Sequence, residues 1–276
     1  MPTFSTACGP LAYDVSGSGP PLLLLPSAAH DRHDFDAIRP ALDARFRTYA
    51  LDWPAHGESA APERGWRASA PAFAALAREV VGQIPDGPVA LLGNSVGGFS
   101  AARVAIDAPG LVSAVVLVDS GGFVRRSPLA RIFCWAMSHP RLLSRIYPAF
   151  CVRYMRSQSD LDEQICHVAS VAMRHDLDRV DVVAGLWGSF STRGHDLRPD
   201  AHRLRAPALV VWGRRDPVIP LSSGRRAAEL LGADLVELNT GHVPFSSRPV
   251  EFVDAVLPFL LAATSEEHAV EGRDVA

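Results

Sequence analysis

The sequence contains no lysine, and all 27 of its basic residues are arginine. This absence excludes catalysis through a lysine Schiff base or a lysine general base. The net charge at pH 7 is only −3, so the chain also lacks the positive excess that nucleic-acid binding requires. We therefore expect no nucleic-acid partner.

Cysteine is scarce, and its spacing matches no metal-binding or redox motif. C-x-x-C pairs and the H-E-x-x-H motif are both absent from the sequence, and these are the usual patterns of zinc sites. We expect free, buried thiols in a reducing environment, with no metal and no cofactor. The four positions are Cys8, Cys134, Cys151 and Cys166.

Long apolar runs are also absent. No stretch approaches the roughly 20 apolar residues that a membrane-spanning helix needs. The first residues, MPTFSTACGPLAYDV, lack the basic start and long apolar segment of a signal peptide. These features predict a cytoplasmic protein with no membrane partner.

What the sequence does contain is a regular alternation of strand and helix patterns, which predicts a mainly parallel sheet covered on both faces. SGSGP at 16–20 predicts a hairpin turn between the first two strands. Predicted strands are 11–15, 22–25, 47–52, 89–93, 114–119, 208–213 and 234–239, and predicted helices are 35–44, 69–84, 96–108, 222–231 and 249–262.

The alternation stops in the middle of the chain. Between 122 and 205 the segments are amphipathic and rich in arginine and aromatic residues, which predicts roughly four helices and no strand. We therefore expect a core made of residues 1–121 and 206–264, a helical insertion at 122–205, and a flexible tail at 265–276.

The segment GNSVG at 93–97 fits the G-x-S-x-G nucleophile elbow, with a predicted strand before it and a predicted helix after it. In such a turn Ser95 adopts a strained backbone that exposes its hydroxyl. The backbone approaches so closely that Gly93 and Gly97 leave no room for side chains. The Val96 N–H lies at a helix N-terminus, where it can stabilise an oxyanion.

A serine nucleophile needs a base and an orienting acid, and both follow later in the chain. Asp216 comes just after the predicted strand 208–213, and His242 lies in a turn after the last predicted strand. The order Ser95, Asp216, His242 is that of the α/β hydrolases. Asp119, at the end of another strand, is the alternative acid.

The chain resembles the α/β-hydrolase fold superfamily over nearly its whole length outside the insertion and the tail. The resemblance is carried by GNSVGG, WGRRDPVIP, GHVPF and LDWPAHGES, the last with Ala55 where the family usually has a glycine, which implies a slightly altered backbone. It implies an α/β fold, with a mostly parallel central sheet flanked by helices and a helical cap formed by the insertion.

The loop after the second strand departs from the family's usual His-Gly. Here it reads PSAAHD, so the second oxyanion donor is expected to be the Ala28 N–H, with Ala29 as the less favoured choice. Ser27 can add a hydroxyl, and His30 or His33 can face the pocket, although both are expected to cap the helix that opens near Asp34. Further candidate pocket residues are Trp135, Tyr147, Phe150, Tyr154, Trp187, Phe190 and Val243.

Serine as the nucleophile argues against the dehalogenases and epoxide hydrolases of this fold, which attack with a carboxylate. The resemblance implies hydrolysis of a small or medium, largely hydrophobic carboxylic ester through an acyl-enzyme. One alternative is carbon–carbon bond hydrolysis, because GNSVGG is similar to the elbow of meta-cleavage-product hydrolases; perhydrolase activity is another. A receptor that binds a ligand in the same pocket without turnover is the alternative outside catalysis.

Overall fold

A computed structural model describes residues 1–125 and 127–265. Its eight strands form one sheet in the order β1-β2-β4-β3-β5-β6-β7-β8. The pairs β1/β2 and β2/β4 are antiparallel, and all the other neighbours are parallel. The strands are β1 Thr3–Thr6, β2 Gly9–Gly17, β3 Pro21–Leu25, β4 Arg47–Leu51, β5 Val89–Asn94, β6 Val112–Val118, β7 Ala208–Gly213 and β8 Asp234–Leu238.

Helices cover both faces of the sheet. They are α1 Arg39–Asp43, α2 Ala70–Val81, α3 Val96–Asp107, α4 Pro128–Met137, α5 Pro140–Met155, α6 Asp160–His175, α7 Leu177–Phe190, α8 Leu221–Leu231, α9 Pro244–Ser247 and α10 Pro249–Thr264. Short 3-10 helices occur at Arg32–Phe35, Pro109–Leu111, Arg193–His195 and Ala201–Arg203.

The hydrophobic core lies in two layers, one on each face of the sheet. Strand β3 explains why, because its side chains alternate between the two layers. Leu23 and Leu25 pack in one layer, Leu22 and Leu24 in the other, and all four are fully buried. The unbroken leucine run is therefore the pattern of a parallel strand buried on both sides.

The predicted hairpin at 16–20 is wrong. Strand β4 lies between β2 and β3, pairing antiparallel with β2 and parallel with β3. Gly17 and Gly19 have positive φ values and pack against the backbone that precedes β4, where a Cβ would meet carbonyl oxygens at 2.2 Å and 2.5 Å. The glycines therefore allow the chain to pass close to β4 instead of forming a two-strand turn.

Other differences are local. The expected helix at 35–44 is divided into the 3-10 helix Arg32–Phe35 and the short helix α1, and the sequence prediction missed β1 and α9. Ala55 has φ 61°, in the left-handed region that glycine prefers, so alanine there carries strain. The tail expected at 265–276 lies outside the described residues from 266 onwards.

The helices α4 to α7 all fall between β6 and β7, and α7 contributes Val182 and Leu186 to the core layer that contains Trp53 and Phe73. The inserted helices are therefore packed onto the sheet domain. Among the described residues, no helix is both long enough and apolar enough to span a bilayer.

Candidate active site

Ser95 occupies the tight turn between β5 and α3. Its backbone has φ 57° and ψ −113°, a conformation that L-residues rarely adopt. Two hydrogen bonds fix the turn: Ser95 N donates to Val118 O at 3.0 Å, and Gly121 N donates to Ser95 O at 2.9 Å. The end of β6 therefore holds the serine in its strained conformation.

The two glycines around Ser95 are sites of close backbone approach. A Cβ on Gly93 would lie 2.3 Å from Gly97 O, and a Cβ on Gly97 would lie 2.1 Å from Leu25 O. Real Cβ atoms do not come this close to backbone atoms, so any side chain would force the elbow apart.

His242 and Asp216 meet at the carboxyl ends of the last two strands. His242 Nδ1 lies 2.6 Å from Asp216 Oδ2, and both residues are buried. Asp216 Oδ1 accepts hydrogen bonds from Val218 N at 2.7 Å and Ile219 N at 3.1 Å. The carboxylate is thereby fixed by its own loop and orients the imidazole.

Asn94 connects the serine turn to the histidine turn. Its side-chain amide donates to Val118 O at 3.1 Å and to His242 O at 3.0 Å. Ser95 and His242 both line one cavity of about 150 Å³. The fold therefore gathers a serine, a histidine and an aspartate from three separate strand ends.

Asp119 lies beside this group and is hydrogen-bonded to Asp216. Burial raises the pKa of Asp119 well above its ordinary value, and the charge of Asp216 and a hydrogen bond to it raise it further. The Asp119 carboxyl also accepts from Gly213 N at 3.0 Å. Its environment thus disfavours the charged form of this carboxyl, next to the carboxylate that faces the histidine.

Asp119, Asp216 and His242 present oxygen and nitrogen atoms within 4.8 Å of one another, a spacing at which a metal ion could be held. The hydrogen bonds among the same groups account for this spacing, since the His242 Nδ1 that faces the carboxylates is bonded to Asp216 at 2.6 Å.

Both residues of the predicted oxyanion site lie at the cavity. Ala28 and Val96 both line it. The Ala29 N–H is already used, because it donates to His56 Nε2 at 3.1 Å. This bond favours Ala28 over Ala29 as the donor available to a ligand.

His56 supports this loop as a neutral imidazole. Its Nδ1 lies 2.8 Å from Pro54 O, so Nε2 is free to accept from Ala29. Burial and the nearby charge of Arg179 lower the pKa of His56 to about 3.

The predicted pocket residues divide into two groups. Ser27 and Trp187 line the cavity, together with the predicted aromatic residues Tyr147, Phe150, Tyr154 and Phe190. Trp135 does not: it is 65% exposed and its ring contacts His139. Val243 is fully buried in a core layer instead.

The expectation for His30 and His33 also needs correction. The residue that caps the 3-10 helix is Asp31, whose side chain accepts from His33 N. His30 is buried and hydrogen-bonds Asp34 and Tyr154 rather than lining the cavity. His33 lies at the surface and pairs with Asp36.

One histidine that the sequence did not single out lines the cavity. His195 Nδ1 lies 3.0 Å from Phe190 O, and its ring packs between Phe99 and Phe190. Burial lowers the pKa of His195 to about 4. It therefore contributes a neutral ring to the wall.

Residues 22–255 match the sequence model of one protein family, the alpha/beta hydrolase family. The chain belongs to this family. The match spans the serine turn, the acid loop, the histidine turn and the helices between β6 and β7.

Among curated proteins, the chain is 28% identical to the pimeloyl-[acyl-carrier protein] methyl ester esterase of Nitrosomonas europaea, covering 87% of this chain and 95% of that protein. It is 27% identical to the 2-hydroxy-6-oxononadienedioate/2-hydroxy-6-oxononatrienedioate hydrolase of Klebsiella pneumoniae, covering 82% and 80%.

A solved thermophilic esterase from Thermogutta terrifontis superposes with a TM-score of 0.80 over 95% of this chain and 98% of that one, at 22% identity. That likeness supports the fold of this alpha/beta hydrolase.

Proposed function

We propose that this alpha/beta hydrolase cleaves carboxylic esters through a covalent acyl intermediate on Ser95. His242 takes the Ser95 proton as the oxygen attacks the ester carbonyl, and Asp216 holds the imidazole in the required tautomer. The ester C–O bond then breaks, and the leaving alkoxide receives that proton from His242. His242 then deprotonates a water molecule that attacks the acyl carbonyl. The bond to Ser95 Oγ breaks, the acid is released, and His242 returns the proton to Ser95.

One observation carries the proposal: a strained Ser95 lines the same cavity as His242, which is paired with the buried Asp216. A serine hydroxyl is a poor nucleophile unless a base removes its proton. The backbone strain at Ser95 costs folding free energy, and a catalytic role for the serine would explain why the fold retains it.

The negative charge that develops on the carbonyl oxygen has two donors nearby. Val96 N–H opens helix α3, and Ala28, in the loop after β3, lines the same cavity. Donors fixed in a buried site stabilise such a charge more than water does, because they need not reorganise during the reaction.

The cavity wall suggests the class of substrate. Phe133, Phe150 and Trp187 supply aromatic surface from the inserted helices, which we take to act as a cap over the site. A mostly apolar pocket of this kind suits small or medium hydrophobic acyl groups. The esterase relative from Nitrosomonas europaea supports this choice of reaction.

Carbon–carbon bond hydrolysis is the second candidate. The GNSVGG elbow and the 27% identity to the Klebsiella pneumoniae hydrolase favour it. The same serine and histidine would serve, so the bond cleaved depends on the pocket rather than on the catalytic residues.

Steady-state kinetics with two probes test the proposal. We expect 4-nitrophenyl butyrate to be hydrolysed with a higher kcat/KM than a vinylogous 1,5-diketone, and Ser95→Ala to abolish turnover of the ester. Faster cleavage of the diketone would favour the second candidate. Binding of the ester without turnover by folded wild-type protein would contradict both and favour a receptor.

A further inference from the structure

The stretch from 120 to 159, which contains helices α4 and α5, is strongly basic. It holds seven arginines and no aspartate or glutamate, although the chain as a whole has a net charge of −3. The remaining residues are therefore acidic overall. The seven positions are Arg125, Arg126, Arg131, Arg141, Arg145, Arg153 and Arg156.

Six of these arginines lie among the described residues, all except Arg126, and all six are exposed. None of the six forms an ion pair with a described carboxylate. Surface arginines elsewhere are often paired, as Arg214 and Arg225 are with Glu237. The positive charge of α4 and α5 is therefore available to an anionic partner.

The outer face of α4 is also apolar. Leu129 is 77% exposed, Ile132 63% and Trp135 65%. Helical spacing places these three side chains on one side of α4, opposite the buried Cys134 and Met137. Contiguous apolar side chains left in water are typical of an interaction surface.

Helix α5 presents the same mixture to solvent. Its exposed residues include Leu142, Arg145, Ile146, Val152 and Arg153, whereas the opposite side of the helix is buried. Arginine beside large aliphatic side chains and tryptophan is the composition of helices that lie at the boundary between water and a lipid bilayer.

The same two helices form part of the cavity wall. Phe133 and Cys134 of α4 line the cavity. Arg125 and Arg131 also line it, and both are exposed, so they lie where the cavity meets solvent. A partner in contact with the outer face of α4 would therefore lie next to the entrance of the cavity that Ser95 lines.

We propose that the exposed residues of 125–156 on α4, α5 and their flanks, which we call the docking face, bind the surface of an anionic phospholipid membrane. The arginines bind lipid phosphates, and Leu129, Ile132 and Trp135 enter the layer between headgroups and acyl chains. The lack of a membrane-spanning run, from which the sequence predicted no membrane partner, does not bear on peripheral docking.

Charge and apolar surface together distinguish the possible occupants. A second copy of this chain would bring two sets of unpaired arginines together, and like charges repel across an interface. A nucleic acid would pair the arginines but leave Leu129, Ile132 and Trp135 in water. An anionic bilayer offers negative charge and an apolar layer at once, and its extended plane can engage arginines spread over two helices.

Flotation of the full chain with lipid vesicles tests the docking face. Vesicles of phosphatidylglycerol and phosphatidylcholine in equal parts are compared with vesicles of phosphatidylcholine alone, at low and at high salt. The Ser95→Ala variant is measured beside the wild type, so that lipid hydrolysis cannot alter the vesicles. We expect both proteins to bind the anionic vesicles, more weakly as salt rises, and to bind the neutral vesicles poorly.

The position of the arginines should matter more than the net charge. Arg145→Gln combined with Arg153→Gln should weaken binding to the anionic vesicles by about 25-fold, or about fivefold per arginine. The matched control combines Arg78→Gln with Arg226→Gln, which removes the same charge from exposed positions on α2 and α8. This control should bind almost as tightly as the wild type.

The apolar contribution has a matched pair of leucines. Leu129→Ala should weaken vesicle binding by about tenfold, whereas Leu177→Ala should not, because Leu177 is 76% exposed but lies between Asp176 and Asp178. Brominated phospholipid in the anionic vesicles should quench the protein's fluorescence, and Trp135→Phe should remove most of this quenching.

Three results would overturn the docking face: equal binding to neutral and anionic vesicles or to neither, equal losses in the two arginine pairs, or quenching that Trp135→Phe leaves unchanged. Binding to poly-glutamate without binding to anionic vesicles would also overturn it, and would assign the surface to an acidic protein. None of these measurements needs turnover, so their failure is distinct from a failure of the proposed ester hydrolysis.

Discussion

The structure contains two buried histidine–aspartate pairs on either side of Tyr154. In one, His242 Nδ1 lies 2.6 Å from Asp216; in the other, His30 Nδ1 lies 2.5 Å from Asp34. The Tyr154 ring packs against His242, while its hydroxyl bonds His30. Similar pairs therefore occupy different positions relative to the cavity.

What distinguishes the pairs is the group that each imidazole faces. His242 lines the cavity that holds Ser95, so its ring can exchange a proton with a reacting group. The second nitrogen of His30 is already occupied by a buried phenol. We therefore expect only the pair whose ring faces the cavity, His242 with Asp216, to act as a catalytic base.

The largest expected effect is loss of the nucleophile or its base. Ser95→Ala and His242→Ala should each lower kcat for 4-nitrophenyl butyrate by up to about 10⁶, and the double variant should lose little more. His30→Ala should lose much less, because its ring does not take the serine proton. Equal losses in His30→Ala and His242→Ala would remove the distinction between the pairs.

The next largest difference in kcat is expected among the three buried aspartates. Asp216→Asn should lower kcat by about 10⁴, as expected when an orienting acid can no longer fix the histidine tautomer. Asp119→Asn and Asp34→Asn should cost far less, since the carboxyl bonded to His242 Nδ1 is that of Asp216, whereas Asp34 bonds His30 and Asp119 accepts from Gly213 N. A greater loss in Asp119→Asn than in Asp216→Asn would make Asp119 the orienting acid.

Asp119, the buried neighbour of Asp216, should affect how the stability of the protein depends on pH. Its raised pKa means that the folded state favours the protonated carboxyl. The wild type should therefore lose stability as the pH rises above the ordinary carboxyl range, by up to about 1.4 kcal/mol per pH unit, until the pH passes the raised pKa.

Asp119→Asn should lack this dependence in urea unfolding between about pH 5 and about pH 8, a range that lies above the ordinary aspartate pKa of about 3.9. The exposed helix residue Asp254 provides the control, and Asp254→Asn should keep the wild-type slope. An unchanged slope in Asp119→Asn would contradict the assignment of a buried proton to that carboxyl.

The last effect concerns the pH dependence of stability that His56 contributes. This buried histidine bonds backbone groups of Ala29 and Pro54 through its two ring nitrogens. Its pKa is lowered to about 3, so its contribution to stability is complete above the ordinary histidine pKa. It is lost as the pH falls towards 3, with a slope of at most about 1.4 kcal/mol per pH unit.

Unfolding measurements on His56→Gln should show a shallower loss of stability with acid than the wild type. His33→Gln, which changes a surface histidine paired with Asp36, is the control and should leave the slope intact. If both variants retained the wild-type slope, His56 would not be the neutral imidazole that accepts from Ala29 in the loop after β3.

Much of the fold could be predicted from the sequence because its signals are local. The leucines of β3 and the G-x-S-x-G turn each specify their own conformation, and the chain order of Ser95, Asp216 and His242 points to strand ends that the structure brings together. Alternation of strands and helices was enough to predict the mainly parallel sheet.

The remaining features depend on contacts between distant segments. The insertion of β4 between β2 and β3 cannot be inferred from SGSGP, whose glycines suit a hairpin and a close backbone approach equally well. The His30–Tyr154 bond spans 124 residues, and nothing in PSAAHD indicates it. The outward position of Trp135 reflects how α4 packs, which the helix's own periodicity does not determine.

The central claim is that Ser95 is a nucleophile activated by His242. Incubation of the wild-type protein with a fluorophosphonate, followed by peptide mass spectrometry, tests it most directly. We predict a covalent adduct on the peptide containing Ser95, and much slower labelling in His242→Ala. A folded wild-type protein with no adduct, or with its adduct on a different serine, would contradict the account.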